Sequence, residues 1–426
     1  MQLVTIQGRK PSPASSLAGC ESESETSQSE AQHLGENLGW SVLRNLSEIH
    51  IELTSTCNLS CSYCYAEADR PGRAFPLFSL ELFERVIQIL ATHSKKSHVE
   101  LIFHGGEPLL QSAAWYGDAC RLATEILGAA NKTCAFGMQS NLTLLRDEHI
   151  DVFARYNVRI GTSIDGPQEV HDAVRGKFHA TVHNLRRLVE AEIFSGAISV
   201  IHHHNWEKIP EIYATFHELG IRSFHLNIAS AVGLGEGATP LSEDQIYRVL
   251  CDDFDTMRTY DGEVVDTRLL AKLKRHVENP TTQGFLSKLS CDSPFCHAGI
   301  NMVVIKHTGE VFPCGCAGSS GNIKNFLLGN IRDEALSTDF YKTQLVQFHA
   351  KSDKYETECR TCPARFVCEH GCPAFDINDP ITPEHHCGAT KRFQKYLDSY
   401  PREVVQRVAS FVPYSLMSAE QGGLEA

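Results

Sequence analysis

Residues 49–64 read Ile49-His50-Ile51-Glu52-Leu53-Thr54-Ser55-Thr56-Cys57-Asn58-Leu59-Ser60-Cys61-Ser62-Tyr63-Cys64. The first six residues form an apparent strand, and three cysteines follow directly at its end. Similar short, β-branched runs occupy 99–104, 133–139, 158–163, 197–203 and 223–228. Segments of helical period separate them; Leu80, Phe83, Val86, Ile87 and Leu90, for example, fall on one face at about 3.6 residues per turn. Six β-α units in succession predict a parallel sheet with helices outside, since parallel strands need crossover connections. Six units instead of eight predict a partial (β/α)6 barrel of the TIM type. Chemistry in such folds sits at the C-terminal strand ends, where the cysteine loop stands.

Outward from this core, residues 1–40 are rich in Ser, Glu, Gln and Gly and read as a disordered tail, being too polar to offset the entropy of ordering. The core is expected over 48–245, a helical linker over 246–290, a cysteine-dense domain over 291–390 and a helical tail over 391–426. The formal charge is 39 − 52 = −13, which disfavours broad capture of nucleic acid or an anionic membrane. No stretch reaches the roughly 18 apolar residues of a membrane span, and the start lacks the apolar core of a secretory signal. A cytoplasmic location is expected. In that reducing compartment the 16 cysteines point to metal ligation before disulfides.

Cys57, Cys61 and Cys64 form a Cx3CxxC run with Tyr63 before the third cysteine. Three thiolates can hold three irons of a four-iron cubane that takes four ligands in electron carriers, leaving one iron open. A three-cysteine zinc site is the competing reading of the loop alone. The second strand ends in Gly105-Gly106-Glu107-Pro108, where glycines let backbone approach a ligand and a carboxylate can pair with an ammonium. Ser140 and Asn141 follow the third strand. The fourth ends in Ser163-Ile164-Asp165-Gly166-Pro167, followed by His171, Asp172 and Arg175, whose planar fork of donors suits a carboxylate.

These segments resemble the radical S-adenosylmethionine (SAM) enzymes. The resemblance implies that Cys57, Cys61 and Cys64 hold a 4Fe-4S cluster whose open iron chelates SAM, giving a 5′-deoxyadenosyl radical. It also implies that Tyr63, Gly105, Gly106, Glu107, Ser140, Asn141, Ser163 and Arg175 line the SAM pocket. His202, His203 and His204 are discounted as a metal site because a strand alternates faces. Gly233, Gly235 and Gly237 read as a flexible loop.

Further on, Cys296 and Cys314 show the pattern C-x12-G-x4-C with Gly309, and Cys359, Cys362, Cys368 and Cys372 form CxxCx5Cx3C, with Cys387 after a gap. This order resembles the SPASM extension of radical SAM enzymes, which carries two auxiliary 4Fe-4S clusters; a pair of zinc ribbons is the alternative for the cysteines alone. The resemblance assigns Cys291, Cys296, Cys314 and Cys372 to the first cluster and Cys359, Cys362, Cys368 and Cys387 to the second. Cys316 is an alternative ligand.

The family implies a peptide or protein substrate and an electron donor such as flavodoxin or ferredoxin. The leading expectation is a maturase of ribosomal peptides that installs a C-C, C-S or C-O crosslink. Anaerobic sulfatase maturases also resemble this chain over nearly all of 48–390, but carry an acidic residue where Gly315 stands here. Asp165, or Asp172, is then the expected substitute base. A non-catalytic iron-sulfur carrier would explain the cysteines but not the SAM-like segments.

Overall fold

The computed structural model describes residues 40–66, 76–229, 240–278, 296–319, 326–334, 336–349, 358–364, 367–368, 372, 374 and 381–412. The polar tail, the Gly233–Gly237 loop and Cys291 lie outside them. Within 39–426 the chain packs as one compact unit.

Six parallel strands carry the core: β1 (Glu48–Glu52), β2 (His98–His104), β3 (Thr133–Ser140), β4 (Arg159–Ser163), β5 (Phe194–Ile201) and β6 (Ser223–Ile228). They lie side by side in chain order, the expected partial-barrel arrangement. Ile49 and Ile51 are fully buried, and alternation places His50 and Glu52 on the opposite face. Helix Leu80–His93, between β1 and β2, buries Leu82, Phe83, Val86, Ile87 and Leu90, while Ser79 caps its first turn by accepting from Leu82 N at 3.1 Å.

The described sheet contains ten strands. β7 (Val265–Asp266), inside the expected helical linker, pairs with β6. β8 (Met302–Lys306) comes from the cysteine-dense region yet pairs in parallel with β1 along its whole length, from Glu48↔Met302 to Glu52↔Lys306. β9 (Glu310–Phe312) turns back on β8, and β10 (Gly329–Asn330) closes that edge. The fifth strand stops at Ile201, so His202, His203 and His204 lie beyond it, and the rings of His202 and His204 meet with centroids 5.6 Å apart. Helix Ile381–Asp398 carries Cys387 and begins before the expected tail, and helix Arg402–Ala409 follows it.

Candidate active site

Backbone hydrogen bonds fasten the cysteine loop to the end of β2. Gly106 N donates to Thr54 O at 2.8 Å and Glu107 N to Thr56 O at 2.9 Å. A Cβ on Gly106 would stand 2.2 Å from Thr56 O; one on Gly105, at φ +133°, would stand 2.5 Å from Thr54 O. The two glycines thus serve the approach of neighbouring strand ends.

Glu107 lies at the same strand end. Its carboxylate is 1% exposed and accepts from Ser140 Oγ at 2.7 Å, Asn141 N at 2.9 Å and Leu109 N at 2.9 Å. Burial pushes its pKa up, and the donors of Ser140, Asn141 and Leu109 pull against that shift. The side chain pins β3 to the cysteine loop. Ser140 is drawn into the same knot. Asn141 continues it: its Nδ2 donates to Asn58 Oδ1 at 2.9 Å and lies 3.8 Å from Cys57 Sγ.

Across the loop, Tyr63, Asp165 and Arg175 close on one another. Tyr63 donates its hydroxyl to Asp165 Oδ2, Arg175 Nη2 donates to the Tyr63 oxygen at 2.5 Å, and Arg175 Nε reaches Asp165 Oδ2 at 3.3 Å. Asp165 Oδ1 accepts from Val200 N at 3.0 Å. Burial works against the charge of Arg175, but Tyr63, Asp165 and Cys61 together hold its pKa above the usual value. Asp165 is therefore fully buried and paired with Arg175. Asp172, exposed on helix Gln168–Val174, accepts from Phe178 N at 2.9 Å. Ser163 is tied to Gln139, whose Nε2 donates to it at 3.1 Å. His202 stacks on Tyr63 with centroids 5.3 Å apart, and burial lowers its pKa to about 4.

Cys57, Cys61 and Cys64 are half-buried. Burial pushes Cys57 up to about 12, with Glu107, Cys61 and Cys64 adding to the shift; Cys61 is raised too, again mainly by burial. Leu59 N points at Cys57 Sγ from 3.4 Å. Thiols crowded this way ionise when a cation neutralises them, and an amide donor to the sulfur suits an iron-sulfur ligand.

Farther along the chain, Cys359, Cys362, Cys368 and Cys387 line one pocket with Glu358 and Lys391. Cys296, Cys314 and Cys372 pack together with Cys316 against a small apolar core that includes Met302, Phe312 and Phe326. Cys314 is lowered, first through its hydrogen bond with Cys316. Among the described residues no three His, Cys, Asp or Glu side chains converge closely enough to hold a single metal ion.

Three residues near the mouth escaped sequence reasoning. Glu52 and Lys306 end the paired strands β1 and β8, and Tyr65 is half-buried beside Cys64 and Cys316. The charged pair could be found only once β8 was seen to join the sheet.

The description "Radical SAM superfamily" matches residues 51–216, and an iron-sulfur cluster-binding SPASM domain matches residues 296–363. A serine-type anaerobic sulfatase-maturating enzyme of Bacteroides thetaiotaomicron is 26% identical over 408 residues, covering 87% of this chain and 94% of that one. A solved structure described as native anSMEcpe with bound AdoMet and Kp18Cys peptide superposes with TM-score 0.68 at 19% identity, covering 86% of this chain and 99% of that one. Streptococcus suis SuiB bound to precursor peptide SuiA gives 0.52 at 17% identity, over 87% and 82%.

Proposed function

Since the chain belongs to the radical SAM superfamily and carries a SPASM extension, we propose that it is a peptide maturase which removes a hydrogen atom from a peptide side chain and installs a C-C, C-S or C-O crosslink. Its cofactors are SAM and 4Fe-4S clusters, which supply the hydrogen-abstracting radical when bound. Cys57, Cys61 and Cys64 would hold the SAM-binding cluster. Cys296, Cys314 and Cys372 belong to the first auxiliary site, with Cys291 or Cys316 as the fourth thiolate, and Cys359, Cys362, Cys368 and Cys387 to the second. Arg175 and Tyr63 border the SAM site, and the Glu107 knot holds the cysteine loop in place. A flavodoxin or ferredoxin is the proposed electron donor.

Forming one crosslink removes one hydrogen atom and one proton from the peptide, so one further electron must leave it. The two auxiliary pockets are the proposed acceptors. Peptide-bound fold neighbours support a peptide as substrate.

The alternative is oxidation of a single Cys or Ser to formylglycine, favoured by the sulfatase-maturating relative. The observation against it is Gly315: no acid stands beside Cys314, and Asp165 is locked into the Arg175 pair. Anaerobic incubation of reduced, reconstituted protein with SAM should release 5′-deoxyadenosine; none would reject the enzyme reading. With a peptide encoded beside the gene, fragment masses should show two hydrogens lost between two side chains, whereas a lone aldehyde would establish the alternative.

A further inference from the structure

The last residue of β8, Lys306, occupies a position that the catalytic reading leaves unexplained. Its side chain is only 12% exposed, and a lysine so covered costs free energy unless its charge and donors are satisfied. Three contacts satisfy it. Nζ donates to Gly318 O at 2.5 Å, stands over the Phe312 ring at 5.2 Å, and lies 3.9 Å from Glu52 Oε1. Gly318 sits on the short helix Gly315–Ser319, and its own N–H donates to Cys314 O at 3.1 Å. Glu52 lies at the end of β1, held by Ser55 Oγ at 3.1 Å, where the chain enters the loop of Cys57. A single ammonium therefore touches both cysteine-bearing segments. The space beside Gly318 is full: a Cβ there would meet Lys306 and Phe312 at 3.3 Å.

We propose that Lys306 is a positioning residue that ties the first auxiliary site to the SAM-cluster loop, and that its charge favours the reduced form of the cluster at Cys296, Cys314 and Cys372. This rests on the proposed ligation of that cluster. Reduction adds one electron, supplied in the test by a low-potential chemical reductant, and so one negative charge. A cation held in a poorly hydrated place on the carbonyl of Gly318, a residue one helical turn after Cys314, stabilises that extra charge, whereas the Glu52 carboxylate opposes it.

The test is a redox titration of the reconstituted full-length protein followed by electron paramagnetic resonance, with the signal lost in C314A identifying the first auxiliary cluster. K306M should make its reduction constant three- to tenfold less favourable, a shift of about 30–60 mV to more negative potential for one electron. K306R should restore most of the change. E52Q should move the potential in the opposite direction, an outcome that simple loosening of the fold would not produce. Iron content, measured alongside, separates two kinds of failure. If C314A holds as much iron as the wild type, the ligand assignment falls. If iron is intact and K306M leaves the potential unchanged, or K306M and E52Q shift it the same way, the role of Lys306 falls.

Discussion

Replacing Gly106 with alanine tests whether strand-end packing builds the cysteine loop. The new Cβ would stand 2.2 Å from Thr56 O and 2.4 Å from Thr56 C. Ordinary van der Waals contact begins at 3.4 Å, so the loop must retreat by about 1.2 Å, and the obstacle is backbone, which cannot rotate aside. Overpacking of this kind costs about 1–3 kcal/mol, and weakening the bonds from Gly106 N and Glu107 N would add about 1 kcal/mol. We expect G106A to lose about 2–4 kcal/mol in urea unfolding and to retain less iron at the Cys57 loop after reconstitution. Gly128 is the control: it ends a helix with nothing within 4 Å of a Cβ, so G128A should gain up to about 1 kcal/mol or change little. A G106A protein as stable as G128A, with its full iron, would refute the proposed scaffold.

Other perturbations probe the buried polar groups. R175A should destabilise by about 3–5 kcal/mol in urea unfolding, because Asp165 would be left buried without its partner; R175K should recover only part of this, since an ammonium lacks the fork that reaches both Tyr63 and Asp165. Asp253 is buried beside Asp266, accepts from Tyr213 Oη at 2.6 Å, and has its pKa raised first by burial and then by Asp266. Its folded pKa exceeds the unfolded one, so its contribution is fully present below the unfolded carboxylate range and is lost as pH rises towards the folded value. D253N should accordingly match the wild type within about 1 kcal/mol at acidic pH and surpass it at pH 8, as unfolding curves at both pH values would show. Y213F should cost about 1 kcal/mol by the same measurement through loss of that hydrogen bond.

The chain order of strands, the placement of the first cysteines at a strand end and the pairing of CxxC segments with a second cysteine-rich region are all legible in the amino acids, because periodicity and ligand spacing are local properties. Side chains that name a chemistry, such as the three thiols, announce themselves in the same way. Roles that depend on what lies opposite do not. Nothing near Glu107 in the chain shows that Ser140 and Asn141, more than 30 residues away, donate to its carboxylate, and nothing near Asp165 shows that Tyr63, about 100 residues earlier, donates to it beside Arg175. Likewise, nothing local to Lys306 shows that β8 will lie in register beside β1. Hydrogen bonds and ion pairs between distant residues exist only after the sheet has assembled, so tertiary structure alone decides which polar groups remain free to act and which are consumed in holding the site together.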